Sequence, residues 1–328
     1  MKGVLFAFVV AVLTITCFSK TVYNKEVWRA RDNGAEFDVT FRVVDDEGTP
    51  VANARCGGWV YVEHDSRQGC GYAIYTDTNG CVRVTGKCSE WFSVIVSKEG
   101  YYKTSFDVKY PLENVYPPIV GGKWQPYGET RTVVLKRILQ PHEMLGPELP
   151  PQRKIRIYDR WLEFDLERGD FLPPVGDGRD ADVLIRFRLE GDMPYDWSIA
   201  MDVSFTNFPY AGAYRLKKDD WSDMKSVYQA DTNANYSSEI SFRYAREKGN
   251  RHPIVDKLEN GAYLVLRTRT EVDKDGNLIS ARYGKLYGPW NFEDAGGSQI
   301  QKVFLNKVDN DLNLEDAWTI ENAKKYNR

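Results

Sequence analysis

Hydrophobic and polar residues alternate over short stretches of the chain, which is the pattern of half-buried β-strands. Near the N-terminus, residues 37, 39 and 41 are Phe, Val and Phe, with polar residues between them. Similar short segments follow, each bounded by turn residues. They cover residues 59–62, 72–75, 82–84, 92–96 and 132–135. Their number and spacing predict a β-sandwich over residues 37–137.

The same kind of alternation continues in the second half of the chain. Apolar and polar residues alternate over residues 183–189. A hairpin is predicted over residues 263–287, because the Lys-Asp-Gly-Asn turn at 274–277 contains residues that tolerate a positive φ. Helical patterning is sparse, with one short helix predicted near 314–325. We therefore predict an all-β chain whose second β-sandwich-type domain covers residues 153–328.

The N-terminus has the layout of an export signal. One lysine precedes an apolar run from Val4 to Ile15, which is followed by small and polar residues. A spanning helix needs about 20 apolar residues, so the run is read as a signal peptide over residues 1–19, with an uncleaved membrane anchor as the alternative. No later run is long enough to span a membrane. The mature chain is expected to be secreted or to lie in the periplasm or cell envelope, beginning with an extension over residues 20–36.

A proline-rich segment over residues 138–152 is predicted to link the two β-domains. It contains Gln140-Pro141 and ends in Leu149-Pro150-Pro151. Proline removes a backbone donor and favours extended conformations, so such a segment is typical of a linker rather than of a central strand.

Four cysteines remain after the predicted signal peptide, namely Cys56, Cys70, Cys81 and Cys88. An even number of clustered cysteines in an exported domain predicts two disulfides, for which three pairings are open. A zinc site is the alternative, but the spacing contains no C-x-x-C pair. A hairpin turn predicted at residues 76–80 would place Cys70 almost opposite Cys88.

Four segments of the first domain resemble the carboxypeptidase regulatory-like (transthyretin-like) family. They are residues 46–54 (DEGTPVANA), 76–80 (TDTNG), 94–101 (VIVSKEGY) and 132–135 (TVVL), in the family's order. The resemblance covers about the first third of the mature chain. It implies an Ig-like sandwich of the carbohydrate-binding-like fold that acts as an accessory module. It also implies a Cys56–Cys81 disulfide, because the family places inward-facing apolar residues at those positions, and this leaves Cys70–Cys88.

The family's name makes zinc peptidase activity the first chemistry to test. That chemistry needs two histidines and a glutamate on the metal. The chain has only His64, His142 and His252, and none of them begins an H-x-x-E or H-E-x-x-H motif. G-x-S-x-G, P-loop and G-x-G-x-x-G motifs are also absent, so no cofactor or metal is predicted. The formal net charge is −3 without a basic stripe, which argues against nucleic-acid binding.

Carboxylates offer an alternative enzymatic interpretation for the second domain. A glycosidase needs only two of them, and the candidates are Asp165, Glu167, Asp170 and Asp202. Solvated strand faces and turns explain the same residues. The segment 273–277 could be a calcium loop, but an ordinary Asp-Gly hairpin turn explains it as well.

Exposed aromatic residues are the candidates for ligand binding. Tyr116, Trp124 and Tyr127 lie in a long predicted loop, and Trp221 lies in the second domain. Such rings can stack on sugars, or they can pack into a core. The leading expectation is a non-catalytic exported protein that binds a glycan or a protein partner at the cell envelope or outside the cell. The alternatives are a carboxylate-based hydrolase and a structural envelope component.

Overall fold

The structure is a computed structural model that describes residues 25–62, 70–110, 119–146, 153–192, 196–205, 208–219, 221–250, 254–256, 258, 261–292 and 297–326. The described residues form twenty β-strands and two short helices, so the protein is all-β, as predicted. Within the described ranges, no helix is long and apolar enough to cross a membrane. The predicted signal peptide, residues 1–19, lies outside these ranges, and so do residues 147–152 of the predicted linker.

Among the described residues up to position 154, ten strands and one helix are formed. They are α1 (Lys25–Asn33), β1 (Ala35–Asp45), β2 (Arg55–Val60), β3 (Cys70–Tyr75), β4 (Cys81–Cys88), β5 (Trp91–Ser97), β6 (Thr104–Lys109), β7 (Ile119–Val120), β8 (Lys123–Trp124), β9 (Glu129–Leu135) and β10 (Arg153–Lys154). Helix α1 occupies most of the predicted N-terminal extension. Its Val27 and Ala30 are buried against the first core.

The C-terminal part contains the remaining elements. They are β11 (Trp161–Asp165), β12 (Asp170–Phe171), β13 (Val183–Asp192), β14 (Asp196–Ser204), β15 (Gly212–Lys217), β16 (Glu239–Arg246), β17 (Ile254–Asp256), β18 (Ala262–Val272), β19 (Leu278–Phe292), β20 (Gly297–Leu305) and α2 (Ala317–Tyr326). The predicted hairpin is confirmed, since β18 and β19 are antiparallel with Tyr263 opposite Tyr287. The predicted short helix corresponds to α2.

The N-terminal strands form two sheets that face each other. Sheet A has the order β4-β1-β8-β7, and β9 also pairs with β1 in parallel. Sheet B has the order β3-β2-β5-β6. Alternate residues of both sheets point inward, and their rings meet: Phe37 stacks on Phe92 with centroids 4.3 Å apart, and Phe41 meets Phe106 edge-on at 5.9 Å. Burial of such aromatic side chains is the main stabilising term of a sandwich core.

The C-terminal strands form a second pair of sheets. Sheet C has the order β10-β20-β19-β18-β15, and sheet D has the order β12-β11-β13-β14-β16-β17. Their facing side chains form a separate core that includes Phe187, Met201, Phe242 and Leu264. Sheet C is buried on both faces, because Tyr263, Val265 and four other residues form a further cluster on its opposite side.

The turn at residues 76–80 is present, but it does not form a hairpin. The carboxylate of Asp77 accepts hydrogen bonds from the backbone N–H groups of Asn79 and Cys81, and Gly80 has φ of 74°. Strand β3 before the turn pairs with β2 in sheet B, and β4 after it pairs with β1 in sheet A. The local residues specify a turn, whereas the partner of each strand depends on distant segments.

This topology corrects the argument for a Cys70–Cys88 disulfide. Cys70 lies opposite Val60 in sheet B, and Cys88 lies opposite Ala35 in sheet A. Cys56, Cys70, Cys81 and Cys88 are all free thiols, so neither predicted pair is formed. Burial raises the pKa of Cys56 and of Cys88 to about 12, which keeps both thiols protonated and unreactive.

Candidate functional site

The four aromatic residues that the sequence predicts to bind a ligand do not lie on one common surface. Tyr116 lies outside the described residues. Trp124 has no exposed surface, donates its indole N–H to the carbonyl of Cys88 at 2.9 Å and stacks on Tyr110 with centroids 5.0 Å apart. A fully buried ring cannot present a face to a ligand, so Trp124 belongs to the core.

The other two predicted binding residues, Tyr127 and Trp221, are exposed, but they lie in different parts of the fold. Tyr127 is 38% exposed and follows β8 of sheet A, with the ammonium of Lys123 4.6 Å from its ring centroid. Trp221 is 50% exposed and stacks on Phe106 of sheet B at 4.6 Å. The carbonyl of Trp221 accepts a hydrogen bond from the N–H of Ser105, so this residue joins the two sandwiches.

The four carboxylates that the sequence offers as catalytic candidates all form hydrogen bonds or ion pairs within the fold. Asp165 and Asp170 are buried and accept hydrogen bonds from backbone N–H groups of the loops around them. Glu167 pairs with Arg269 at 3.2 Å. Asp202 accepts from two arginines, and the hydrogen bond from Arg188 is the main reason that its pKa falls to about 2. An acid of that pKa is ionised at neutral pH and cannot donate a proton to a glycosidic oxygen.

Metal-binding interpretations find no support among the residues that the structure describes. No group of three or more His, Cys, Asp or Glu side chains in those ranges could hold an ion. In segment 273–277, the carboxylate of Asp273 accepts hydrogen bonds from the N–H groups of Asp275 and Asn277, as in an Asp-Gly turn. His64 and His252 lie outside the described residues.

The outer face of sheet B carries an aromatic surface that the sequence reasoning missed. In β5, Phe92 and Val94 are fully buried, so Trp91 and Ser93 point outward by strand alternation. In β2, Val60 lies opposite Phe92, so the residues on either side of it, Trp59 and Tyr61, also point outward. We call Trp59, Tyr61 and Trp91 the aromatic platform.

Contacts within the sheet hold the platform in place. The rings of Tyr61 and Trp91 lie 4.8 Å apart with an interplanar angle of 40°. The backbone N–H of Trp59 donates to the hydroxyl of Ser93 at 2.9 Å. A Cβ placed on Gly71 of the neighbouring strand would lie 3.8 Å from the six-membered ring of Trp59. The indole therefore reaches over a glycine, yet 52% of the Trp59 residue stays exposed.

Polar side chains border the aromatic platform on the next strand. Asp107 of β6 lies opposite Ser93, and Lys109 lies opposite Trp91. Both are exposed, and the Lys109 ammonium is 3.8 Å from the Asp107 carboxylate. A flat apolar surface beside donors and acceptors can hold a sugar ring by stacking and by hydrogen bonds to its hydroxyl groups.

A sequence signal for this site was present. Trp59 and Tyr61 are two residues apart in a predicted strand, which places both on one face, and Trp91 precedes another predicted strand. The pattern does not say whether that face is buried. The packing of sheet B on sheet A decides it, because Phe92 is buried in the core between the two sheets and Val60, its register partner in β2, packs against the same core.

Comparison with known proteins assigns no family to the chain. No family model matches the sequence, and no curated protein matches it, so the resemblance to the carboxypeptidase regulatory-like family stays a prediction. Among solved structures, 3-chlorocatechol 1,2-dioxygenase from Rhodococcus opacus 1CP matches with 17% identity and a TM-score of 0.27, over 33% of this chain and 62% of that one.

Two further solved structures match over most of the chain. One is a protein from Bacteroides uniformis described provisionally as a carbohydrate binding protein, with 9% identity and a TM-score of 0.18 over 85% of this chain and 100% of that one. The other is the major pilin subunit of Bacillus cereus, with 12% identity and a TM-score of 0.21 over 83% of this chain and 96% of that one. At TM-scores this low, the likenesses carry no argument about function.

Proposed function

We propose that the protein is an exported, non-catalytic glycan-binding protein whose sugar site is the aromatic platform. The observation that carries the proposal is the half-exposed indole of Trp59, held on sheet B next to the Tyr61–Trp91 pair. Large aromatic rings are normally buried, so an ordered group of them on a strand face is typical of a binding surface.

The polar border of the platform adds to this argument. Asp107 and Lys109 provide an acceptor and a donor beside the rings, and both side chains are exposed at 42% and 73%. Neutral sugars are bound through such combinations, because the ring carbons need an apolar face while each hydroxyl group needs a hydrogen-bond partner. Export is supported by the N-terminal signal pattern of the sequence.

The proposal is tested by measuring glycan binding to the mature protein and to Trp59→Ala. A glycan array identifies the ligand, and calorimetry then measures its affinity. We expect Trp59→Ala to weaken binding at least tenfold, which corresponds to about 1.4 kcal/mol. Trp59→Phe keeps an aromatic face and should retain part of the affinity. The control is Tyr210→Ala, which removes an exposed ring outside the platform.

Three outcomes would count against the glycan site. One is the absence of any glycan ligand for the folded mature protein. Another is equal binding by the wild type and Trp59→Ala. The third is a stable complex with an envelope protein that Trp59→Ala disrupts, because the platform would then be a protein interface.

A further inference from the structure

The outer face of sheet B continues beyond the aromatic platform along β2 and β3. In β2, Arg55 and Gly57 share the face of Trp59, because the three residues are two positions apart along the strand. In β3, Tyr75 lies opposite Arg55, and Ala73 lies opposite Gly57. We call the surface formed by Arg55, Gly57, Ala73 and Tyr75 the arginine trough.

Small residues form the floor of the arginine trough. Gly57 has no side chain, and Ala73 has only a methyl group. At the two ends stand the residues Trp59 and Tyr75, which are 52% and 60% exposed. Trp59 lies opposite Gly71, four residues before Tyr75, so the two ends are about 13 Å apart at the rise of a β-strand. The floor is therefore lower than the aromatic residues at either end.

The guanidinium of Arg55 lies on this floor. A Cβ placed on Gly57 would be 3.1 Å from Nη1 and 3.3 Å from Cζ of Arg55. The side chain thus extends along the strand toward Trp59 and covers Gly57, which is buried, while Arg55 itself stays exposed. A side chain at position 57 would crowd the guanidinium, so the glycine leaves room for it.

The charge of Arg55 is not neutralised by a contact within the fold. In the part of the chain that the structure describes, its guanidinium forms no hydrogen bond or ion pair. Asp77 and Glu99 come two residues after the register partners of Arg55, which places them on the side away from its guanidinium. Asp107 is two strands away and pairs with Lys109. The arginine trough therefore carries an unpaired positive charge.

We infer that the glycan bound by the aromatic platform contains a uronic acid, and that Arg55 binds its carboxylate in the arginine trough. Arginine presents a planar set of donors that matches a carboxylate. A neighbouring sugar of the same chain can stack on Trp59, which lies two positions from Gly57 on the same strand face. This inference rests on the proposed function and specifies the class of glycan.

The experiment compares acidic polymers with forms that lack the charge. Titration calorimetry measures binding of the mature protein to polygalacturonate, alginate and hyaluronate, and to the methyl-esterified form of each. Esterification removes the negative charge and keeps the sugar ring. We expect at least one acidic polymer to bind at least tenfold more tightly than its ester, and this difference should shrink as salt is added.

Variants assign this preference to Arg55. Arg55→Gln should weaken binding of the acidic polymer at least fivefold and leave binding of its ester unchanged. Trp59→Ala should weaken binding of both forms, since both use the aromatic platform. The matched control is Arg42→Gln, which removes an exposed arginine from β1 of sheet A and should bind like the wild type. Equal urea midpoints of the two arginine variants exclude a folding defect.

The outcomes separate this inference from the proposed function. If a neutral glycan binds through Trp59 and no acidic polymer binds more tightly than its ester, the uronic acid site is overturned and the glycan site is not. The uronic acid site is also overturned if Arg55→Gln binds the acidic polymer like Arg42→Gln. The same follows if dextran sulfate binds as tightly through Arg55, because the trough would then be a general anion site. Absence of binding to every glycan would overturn both proposals.

Discussion

At the scale of single residues, tryptophan has two opposite roles in this protein. Trp124 is fully buried, with its indole N–H bonded to the carbonyl of Cys88, whereas Trp59 is 52% exposed on a strand face. Both side chains are ordered by contacts with neighbouring strands. The difference between them is whether the ring faces the core of the first sandwich or the solvent.

Replacement of these two residues should therefore have different consequences for stability. Trp124→Ala removes a buried ring and its hydrogen bond, which typically costs about 3–5 kcal/mol. Trp59→Ala removes an exposed ring and should change the free energy of unfolding by about 0.5 kcal/mol or less. Urea denaturation followed by circular dichroism measures both. Similar losses for the two variants would contradict the placement of Trp124 in the core.

A buried ion pair is the second residue-scale feature. Lys285 has no exposed side-chain surface, and its ammonium lies 2.7 Å from the carboxylate of Asp316. It also donates to the hydroxyl of Ser226 and to the carbonyl of Leu314, so each of its three protons has an acceptor. Burial raises the pKa of Asp316, but the charge and hydrogen bond of Lys285, together with the two hydrogen bonds from Thr319, outweigh it, so the pKa of that carboxyl is lowered.

Loss of either partner of this pair should destabilise the protein strongly. Lys285→Met leaves the carboxylate of Asp316 buried without its cation, and breaking such pairs costs about 3–5 kcal/mol. The double variant Lys285→Met with Asp316→Leu removes both charges and should recover part of that loss. The free energies of unfolding of the three variants form a double-mutant cycle. A double variant as unstable as the sum of the single variants would exclude the coupling.

At the scale of elements, Asp202 connects three strands of sheet D. It lies on β14, and its partners Arg186 and Arg188 lie on β13, while Ser241 lies on β16. The pKa of Asp202 is about 2, which is below the value of about 3.9 expected in an unfolded chain. A depressed carboxyl pKa stabilises the folded state above the unfolded value, and this stabilisation is lost as the pH falls toward the folded value.

The contribution of Asp202 should therefore be fully present above about pH 4 and be lost as the pH falls from about 4 to about 2. Wild-type protein should lose stability over this range by more than Asp202→Asn, because the variant has no carboxyl to protonate at this position. The measurement is the urea midpoint of both proteins at pH 5.5 and pH 2.5. If the urea midpoints of the two proteins fell equally with pH, the Asp202 carboxylate would not contribute to the stability of the fold.

At the scale of the whole molecule, Glu315 joins the two sandwiches. Its carboxylate accepts from the hydroxyl of Tyr102 at 2.9 Å and from the N–H groups of Leu139 and Gln140 at 2.8 and 2.6 Å. Nearby, the ammonium of Lys136 donates to the carbonyls of Met224 and Ser226. Because these groups belong to segments that are distant in the chain, the contacts couple the first sandwich to the second.

Removal of one acceptor oxygen should weaken this coupling. In Glu315→Gln, an amide N–H group would face one of the three donors, at a cost of about 1–3 kcal/mol. Calorimetry should then show a lower midpoint or a transition that separates into two. The control is Glu143→Gln, since the Glu143 side chain is 80% exposed and its ion pair with Lys307 should contribute little. Equal shifts in both variants would contradict a coupling role for Glu315.

Local pattern determined most of the strands of this protein. The alternation at Phe37, Val39 and Phe41 and the turn at residues 274–277 gave correct elements, because the period of a strand and the φ preference of a turn are properties of neighbouring residues. The same reasoning identified a turn at residues 76–80. It predicted a hairpin there, which was wrong because strand pairing is set between distant segments.

The candidate site depended on tertiary structure in the same way. The sequence by itself placed Trp59 and Tyr61 on one face of a strand, but it could not say that this face is exposed while the ring of Trp124 is buried. Only the packing of sheet B on sheet A decides which face of each strand is buried. For the same reason, the sequence could not show that Arg188, Ala200 and Arg243 are neighbours, since they are brought side by side only through the register of β13, β14 and β16.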